Sequence, residues 1–133
     1  MPASTRTADD AAKACGCSVG QIVKSLVFRG RDTGKPYLLL ISGANRVDEK
    51  AAAAILGEGL VRPDADYVRA VTGFAIGGIP PLGFATPLDT VIDRDLLAFG
   101  HVWAAAGTPH CVMRLDPRAL KEAANAAEMA FRP

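Results

Sequence analysis

The sequence predicts an α/β fold, on the border of α+β, built around one mixed β-sheet. Helix and strand patterns alternate irregularly, without the strict βαβ repeat of a doubly wound parallel sheet. The strands are predicted from short runs of β-branched and aromatic residues, and the helices from capping residues at their starts. The length of 133 residues suits a single domain over residues 1–133, in which residues 1–6 form a loose lead-in.

The composition is that of a soluble protein with a sizeable core and little net charge. Half of the residues are apolar, yet no run reaches the roughly 18 apolar residues that a membrane span needs. The 15 basic and 14 acidic residues leave a net charge of +1. This charge argues against a dedicated DNA-binding protein, because each neutralised phosphate requires a Lys or Arg. A local basic patch that contacts one end of an RNA is still compatible with it.

The three cysteines, Cys15, Cys17 and Cys111, indicate reduced thiols in a cytoplasmic protein. No apolar stretch of the kind found in a secretory signal accompanies them. Cys15 and Cys17 have no second pair or nearby histidine that would complete a tetrahedral site, so we expect no metal.

The first half of the chain predicts a helix, a β-hairpin and two further helices. Asp48 is the predicted N-cap of the second helix, which ends at Gly57, and the third helix is predicted to start at or near Asp64 and to end at Gly73. The predicted ranges are 8–15 for the first helix with Thr7 as its cap and Gly16 as its end, 22–29 and 37–42 for the hairpin strands, 49–56 for the second helix and about 64–73 for the third.

The second half predicts three short strands and a closing helix. The strands are expected at residues 90–93, 101–105 and 110–115. Asp116 as a cap, followed by Pro117 at the first helical position, predicts a final helix that runs to about Met129.

Lys24 is an unusual residue for the middle of the first predicted strand. Apolar residues surround it, and a buried ammonium without a partner is costly. One interpretation is an exposed strand face, from which the lysine reaches solvent along its stem. The other is a cation aimed into a cleft, where it meets a phosphate or a developing oxyanion. The pattern alone favours the first interpretation.

The segment GGIPPLG, residues 77–83, is the second candidate feature. Its glycines allow close backbone approach, while Pro80 and Pro81 stiffen the chain and remove two donors. The amides of Gly78 and Ile79 remain available to an ester carbonyl that becomes tetrahedral. An ordinary surface turn is the alternative, and the segment is neither a Walker loop nor a dinucleotide fingerprint.

The third feature is a turn that contains Gly107, Thr108 and His110. His110 is a candidate acid, base or orienting donor near neutral pH, although a lone histidine after a turn is more often structural. Asp93 and Asp95 are predicted to be turn and cap residues rather than a catalytic acid pair. No Gly-x-Ser-x-Gly motif is present, so an active site here would use positioning, backbone donors and one cation.

Four segments, taken in order, resemble one family over residues 4–122. STRTADDAAKACGCSVGQIVKSLVF is similar to an opening helix, turn and lysine-bearing strand, and LLLISGANRVDEKAAA to a central strand, turn and helix. GGIPPLGF matches a Gly-x-x-x-Pro loop through Gly77 and Pro81, and VWAAAGTPHCVMRLDP resembles a closing hairpin. The family with these features is the YbaK/prolyl-tRNA-synthetase-associated domain family, including its free-standing, ProX-like branch.

The resemblance implies a mixed, partly barrel-like sheet flanked by helices, and hydrolysis of the ester that joins a wrong amino acid to tRNA. Lys24 would hold the terminal adenosine or its phosphate. Water would attack, helped by backbone groups and by a ribose hydroxyl of the substrate, without a metal or cofactor. The implied catalytic residues are Lys24, Gly77, Gly78 and Ile79, and the implied substrate-binding residues are Asn45, Pro80, Pro81, Gly107, Thr108 and His110.

Two departures from the family pattern are visible. Many relatives begin with a further helix and strand before the matched region. Pro80 stands where some members carry a hydroxyl residue, which argues against a serine-dependent mechanism and against cysteinyl-tRNA as the substrate.

The implied function is that of a cytoplasmic trans-editing aminoacyl-tRNA deacylase. Its expected partners are the acceptor end of mischarged tRNA, in particular tRNA-Pro that carries a small wrong amino acid, and a synthetase, but neither DNA nor a membrane. The alternative is a non-catalytic module that holds tRNA or a nucleotide beside a synthetase. Basic residues near the first hairpin would then contact phosphates, namely Arg29, Arg31, Lys35, Arg46 and Lys50.

Overall fold

The computed structural model describes residues 8–74, 79–81, 88–105 and 112–130. Its helices are α1 (Ala8–Cys15), α2 (Glu49–Leu56), α3 (Ala65–Thr72) and α4 (Pro117–Ala124). Its strands are β1 (Val23–Gly30), β2 (Pro36–Ser42), β3 (Leu60–Val61), β4 (Asp89–Asp93), β5 (Val102–Ala105), β6 (Val112–Leu115) and β7 (Ala127–Met129). Short 3-10 helices precede β1 (Val19–Gln21) and follow β4 (Arg94–Ala98).

Five strands form a mixed sheet in the order β3-β1-β2-β4-β7, which curls into a half-barrel. β1 is antiparallel to β2 and β3, whereas β2, β4 and β7 are parallel neighbours. β5 and β6 form a separate antiparallel pair, which a bridge between Ile22 and Trp103 connects to the start of β1. The predicted α/β class and mixed sheet are therefore confirmed.

The sheet is covered on both faces, and β2 is buried throughout Tyr37 to Ser42. On one face, here called the α2 face, Leu39 and Ile41 pack in a cluster with Ala52 of α2. On the opposite face, here called the α3 face, Leu40 packs in a cluster with Val68 of α3. A continuous apolar run such as YLLLIS is typical of a strand with both faces buried, as the sequence predicted.

The predicted cap of the second helix and the predicted start of the third are confirmed. The side chain of Asp48 accepts a hydrogen bond at 3.0 Å from the third residue of α2, and that of Asp64 accepts one at 2.8 Å from the third residue of α3. Gly57 and Gly73 end these helices at φ values of 88° and 81°, in the left-handed region that glycine adopts without a Cβ penalty. Thr7, the predicted cap of α1, lies outside the described residues.

The predicted closing helix is too long. α4 ends at Ala124, Asn125 adopts a left-handed conformation at φ 50°, and residues 127–129 form β7 beside β4. The alanine-rich sequence continues a helical propensity, but hydrogen bonds to the edge of β4 and burial of Met129 stabilise the strand. β3 was not predicted either, since two residues are too short for a periodic signal.

Glu58 connects the β1–β2 turn to the segment that enters β3. Its carboxylate accepts hydrogen bonds from the backbone N–H groups of Asp32 and Thr33, from the Thr33 hydroxyl at 2.7 Å and from the Tyr37 hydroxyl at 2.6 Å. These donors, Tyr37 first, lower the pKa of Glu58 to about 2. A Cβ at Gly30 would lie 2.4 Å from this carboxyl group, so a larger residue there would displace the Glu58 carboxylate.

We expect Glu58 to contribute acid-sensitive stability. Because its pKa in the folded chain lies below the ordinary 4.5, the stabilisation is complete above pH 4.5 and is lost as the pH falls towards 2. The melting temperature of the wild type should therefore fall more steeply over this window than that of Glu58→Gln, which cannot titrate. Glu122→Gln, on the exposed side of α4, serves as the matched control. Identical pH slopes for the wild type and Glu58→Gln would contradict this role.

Candidate functional site

Lys24 lies on the α2 face of β1, where its register partner in β2 is Ile41. Its side chain is half-buried, and Nζ donates a hydrogen bond at 2.5 Å to the backbone oxygen of Asn45. The lysine therefore has a fixed protein partner instead of reaching solvent along its stem. Lys24 and Asn45, both predicted site residues, are brought together.

The surroundings of Lys24 shift the pKa of its amine in opposite directions. Burial lowers the pKa of the Lys24 amine below its ordinary value, and the nearby positive charge of Arg46 lowers it further, whereas the negative charge of Asp93 raises it. A partly desolvated cation of this kind interacts more strongly with an incoming anion than a lysine in bulk water does.

Asp93 is the centre of a buried hydrogen-bond network beneath Lys24. Its side chain has 0% exposure. Oδ2 accepts from the backbone N–H of Ser42 at 3.0 Å and from the side-chain amide of Asn45 at 2.8 Å, and Oδ1 accepts from the N–H of Asp95 at 2.9 Å. The Asn45 amide also donates to Asp95 at 2.8 Å. Ser42, Asn45, Asp93 and Asp95, the Asp93 network, join the carboxyl ends of the parallel strands β2 and β4.

The segment just before β1 also forms hydrogen bonds with the turn at residues 42–45. The Ser42 hydroxyl donates to the backbone oxygen of Gly20 at 2.7 Å, and Gly43 N–H donates to the backbone oxygen of Ile22 at 2.7 Å. Asn45 N–H closes the turn on the Ser42 oxygen at 2.9 Å. The carbonyl that binds Lys24 is thus carried by a turn with bonds on both flanks.

A pocket of about 180 Å³ lies along β1, and residues of both faces of the sheet line it. It is smaller than the roughly 300–1,000 Å³ typical of pockets for drug-sized ligands, and its walls are mostly apolar. The buried Ser25 hydroxyl has no hydrogen-bond partner in the described part of the chain. The lining residues are Ser25, Leu26, Val27, Phe28, Arg62, Pro63, Val68 and Ile79.

Arg62 is the charged residue of this lining, and it is already engaged. It is exposed, forms an ion pair with Glu49 at 3.3 Å and lies over the ring of Phe28. The pocket is therefore suited to a small, uncharged group, and the Ser25 hydroxyl is a polar group on its wall that lacks a protein partner.

The predicted loop residues Ile79, Pro80 and Pro81 are buried. Ile79 lines the pocket and packs in the core cluster of the α3 face, whereas Lys24 lies on the α2 face. The other predicted site residues lie outside the described residues, and their roles stay predictions: Gly77, Gly78, Gly107, Thr108 and His110.

Sequence reasoning undervalued Asp93 and did not single out Ser25. Asp93 does cap the following 3-10 helix, as predicted, but it is also fully buried beside Ser42 and Asn45. An acidic residue directly after the apolar strand run TVI was the available signal, since strands this apolar end inside the core. Ser25 carried no comparable signal, because serine is unremarkable in a strand.

Two features are absent from the described ranges, a cluster of metal ligands and a membrane-spanning helix. No three His, Cys, Asp or Glu side chains among them come close enough together to hold a metal ion. Nor does any helix in the described part of the chain have the length and apolar character needed to cross a membrane.

Comparison with known sequences gives a consistent result. The family model described as the aminoacyl-tRNA editing domain matches residues 2–123. The chain is 31% identical over 119 residues to the uncharacterized protein YwhH of Bacillus subtilis, which covers 90% of this chain and 75% of YwhH. It is 31% identical over 94 residues to a proline–tRNA ligase of Limosilactobacillus fermentum, a match that covers 68% of this chain and 16% of the ligase.

Solved structures agree in fold over nearly the whole chain. A candidate trans-editing enzyme for prolyl tRNA synthetase has a TM-score of 0.93 and 48% identity, with 100% of this chain and 83% of that chain covered. The hypothetical protein APE2540 has a TM-score of 0.89 and 30% identity, with 98% and 86% covered.

Proposed function

Because the chain belongs to the aminoacyl-tRNA editing domain family, we propose that it is a deacylase that hydrolyses the ester of mischarged tRNA. The observation that carries the proposal is the half-buried Lys24 amine, fixed on the Asn45 carbonyl above the Asp93 network. The likeness to a candidate trans-editing enzyme and to proline–tRNA ligases supports mischarged tRNA-Pro as the substrate.

In the proposed reaction, water attacks the ester carbonyl carbon and forms a tetrahedral oxyanion. The bond between that carbon and the ribose oxygen then breaks, and the amino acid leaves as a carboxylate. Of the two protons of the attacking water, one ends on the ribose oxygen and the other passes to solvent. An aminoacyl ester is already activated, so one well-placed backbone donor, worth about 3 kcal/mol, contributes substantially. Lys24 is assigned to the terminal adenosine or its phosphate, and the amides of Gly78 and Ile79 to the oxyanion.

The proposal requires the substrate to pass from one face of the sheet to the other around the edge of β1. On that edge, β3 pairs only with Arg29 and Gly30, and the bridge to Trp103 is made at Ile22. Between these points the described residues supply no strand partner for β1. A tRNA end that crosses this gap would place its phosphate beside Lys24 and its aminoacyl group beside Ile79.

The pocket supports a small, uncharged aminoacyl side chain such as that of alanine. Its volume of about 180 Å³ suits a side chain rather than a large ligand, and none of the described residues that line it is acidic. An apolar pocket discriminates one methylene by only about 1–3 kcal/mol, which is why a separate hydrolytic sieve is useful to the cell.

The proposed setting is the cytoplasm, with a synthetase as a further partner. Arg46 and Lys50 are exposed next to the turn that holds Lys24, and they are suited to phosphates of the acceptor stem. A module that binds tRNA without hydrolysing it would use the same surface, so catalysis has to be measured directly.

We expect Lys24→Ala to lose deacylation of Ala-tRNA-Pro by on the order of 100-fold or more, as when a single charge-stabilising group is removed. Lys121→Ala is the matched control, since Lys121 of α4 forms an ion pair with Glu128 and should leave the rate unchanged. Release of labelled alanine measures both, and circular dichroism verifies folding. Full turnover by Lys24→Ala would remove its catalytic assignment. Binding of tRNA with no hydrolysis at any ionic strength would favour the non-catalytic module.

Ile79→Val should admit larger aminoacyl groups, because it removes one methyl group from the pocket wall. The ratio of kcat/KM for a larger substrate over Ala-tRNA-Pro should rise by about 10-fold, within the range for one methylene. Ile92→Val removes the same group from the same core cluster outside the pocket lining and should leave the ratio unchanged. Equal ratios in the two variants would exclude this pocket as the aminoacyl site.

A further inference from the structure

We propose that Asp93 is a positioning residue, whose buried carboxylate fixes the turn at residues 42–45 so that the Asn45 carbonyl holds the Lys24 amine. The inference rests on the proposed role of Lys24 in deacylation, and it assigns a role to a residue that contacts no substrate. Asp93 would act entirely through Asn45 and Lys24.

Asp93 carries a carboxylate that is buried in the protein. Asp93 has 0% exposure, and such a carboxylate is stable only when its oxygens are hydrogen-bonded. Among the described residues Asp93 accepts from three donors, and two of them, Ser42 N–H and the Asn45 amide, lie at the end of β2 and in the turn that follows. The carboxylate on β4 therefore determines where the end of β2 and its turn can lie.

The hydrogen bonds of Asn45 fix the orientation of its backbone carbonyl. The Asn45 side chain is held by Asp93 and Asp95, each at 2.8 Å, and its backbone N–H is held by Ser42. With side chain and N–H both fixed, the carbonyl has little freedom to rotate. It receives Lys24 Nζ at 2.5 Å.

Charges of both signs lie near the Lys24 amine. Lys24 faces Arg46, which disfavours its protonated form, and Asp93, which favours it. Asp95 adds a further carboxylate to the same network through Asn45. Asp93 thus holds the amine in place through Asn45, and its negative charge favours the protonated form of the amine beside an arginine.

The test compares Asp93→Asn with Asp89→Asn, which makes the same change at an exposed position of the same strand. Asp93→Asn removes the negative charge, and it places an NH₂ group against the donors that now bind the carboxylate. NMR titration of the lysine side chains should show a lower Lys24 pKa in Asp93→Asn and an unchanged one in Asp89→Asn. The kcat/KM for Ala-tRNA-Pro should fall by about 10-fold or more, and its alkaline limb should move to lower pH.

A purely structural role would lower the melting temperature of Asp93→Asn without moving the Lys24 titration, and that result would overturn the inference. If Asp93→Asn does not fold, Asn45→Ala decides, because it keeps the buried charge and removes only the side-chain link. Its Lys24 amine resonance should shift and its kcat/KM should fall, and wild-type values for both would equally overturn the inference. If the wild type hydrolyses no aminoacyl ester, the proposed function fails, while the Lys24 titration still tests the positioning role.

Discussion

The carboxylate of Asp93 lies fully buried between the carboxyl ends of β2 and β4, and the local structure around Lys24 is arranged to satisfy it. Its hydrogen bonds reach the last residue of β2, the turn that follows and the 3-10 helix after β4. A charge removed from water in this way makes each of these bonds expensive to lose. The position of the Asn45 carbonyl, and through it that of the Lys24 amine, follows from this constraint.

The sheet separates the two halves of the candidate site. Alternation along β1 places Lys24 on the α2 face, whereas Ile79 on the pocket wall packs in the core cluster of the α3 face. The stretch of β1 between its bridge to Trp103 and its pairing with β3 is where a ligand could reach both. Glu58 secures the segment that leads into β3, and thereby Arg62 and Pro63 on the pocket wall.

Much of the fold could be predicted because its signals are local. Asp48, Gly57, Asp64 and Gly73 mark helix ends by side-chain and backbone chemistry that acts within a few residues. β7 could not be predicted, because its stability comes from pairing with β4, a contact between distant parts of the chain. The end of α4 was misplaced for the same reason.

The candidate site was predictable in part. Lys24 stood out as a charge within an apolar strand and the 77–83 loop by its glycines and prolines, and the family resemblance added Asn45. What the sequence could not supply was the burial of Asp93, which depends on the parallel pairing of β2 and β4. Among the described residues, the stretch of β1 between its bridge to Trp103 and its pairing with β3 has no strand partner, and this too is a property of strand order that the residues themselves do not show.

The account requires one substrate to engage the Lys24 amine and the Ile79 pocket together. The most direct measurement is NMR of the protein, with labelled lysine amines and isoleucine methyl groups, titrated with an adenosine that carries alanine through a non-hydrolysable amide at its 3′ position. The account predicts that the Lys24 and Ile79 signals shift along one common binding curve. A ligand that shifts Ile79 without Lys24, or Lys24 without Ile79, would contradict it.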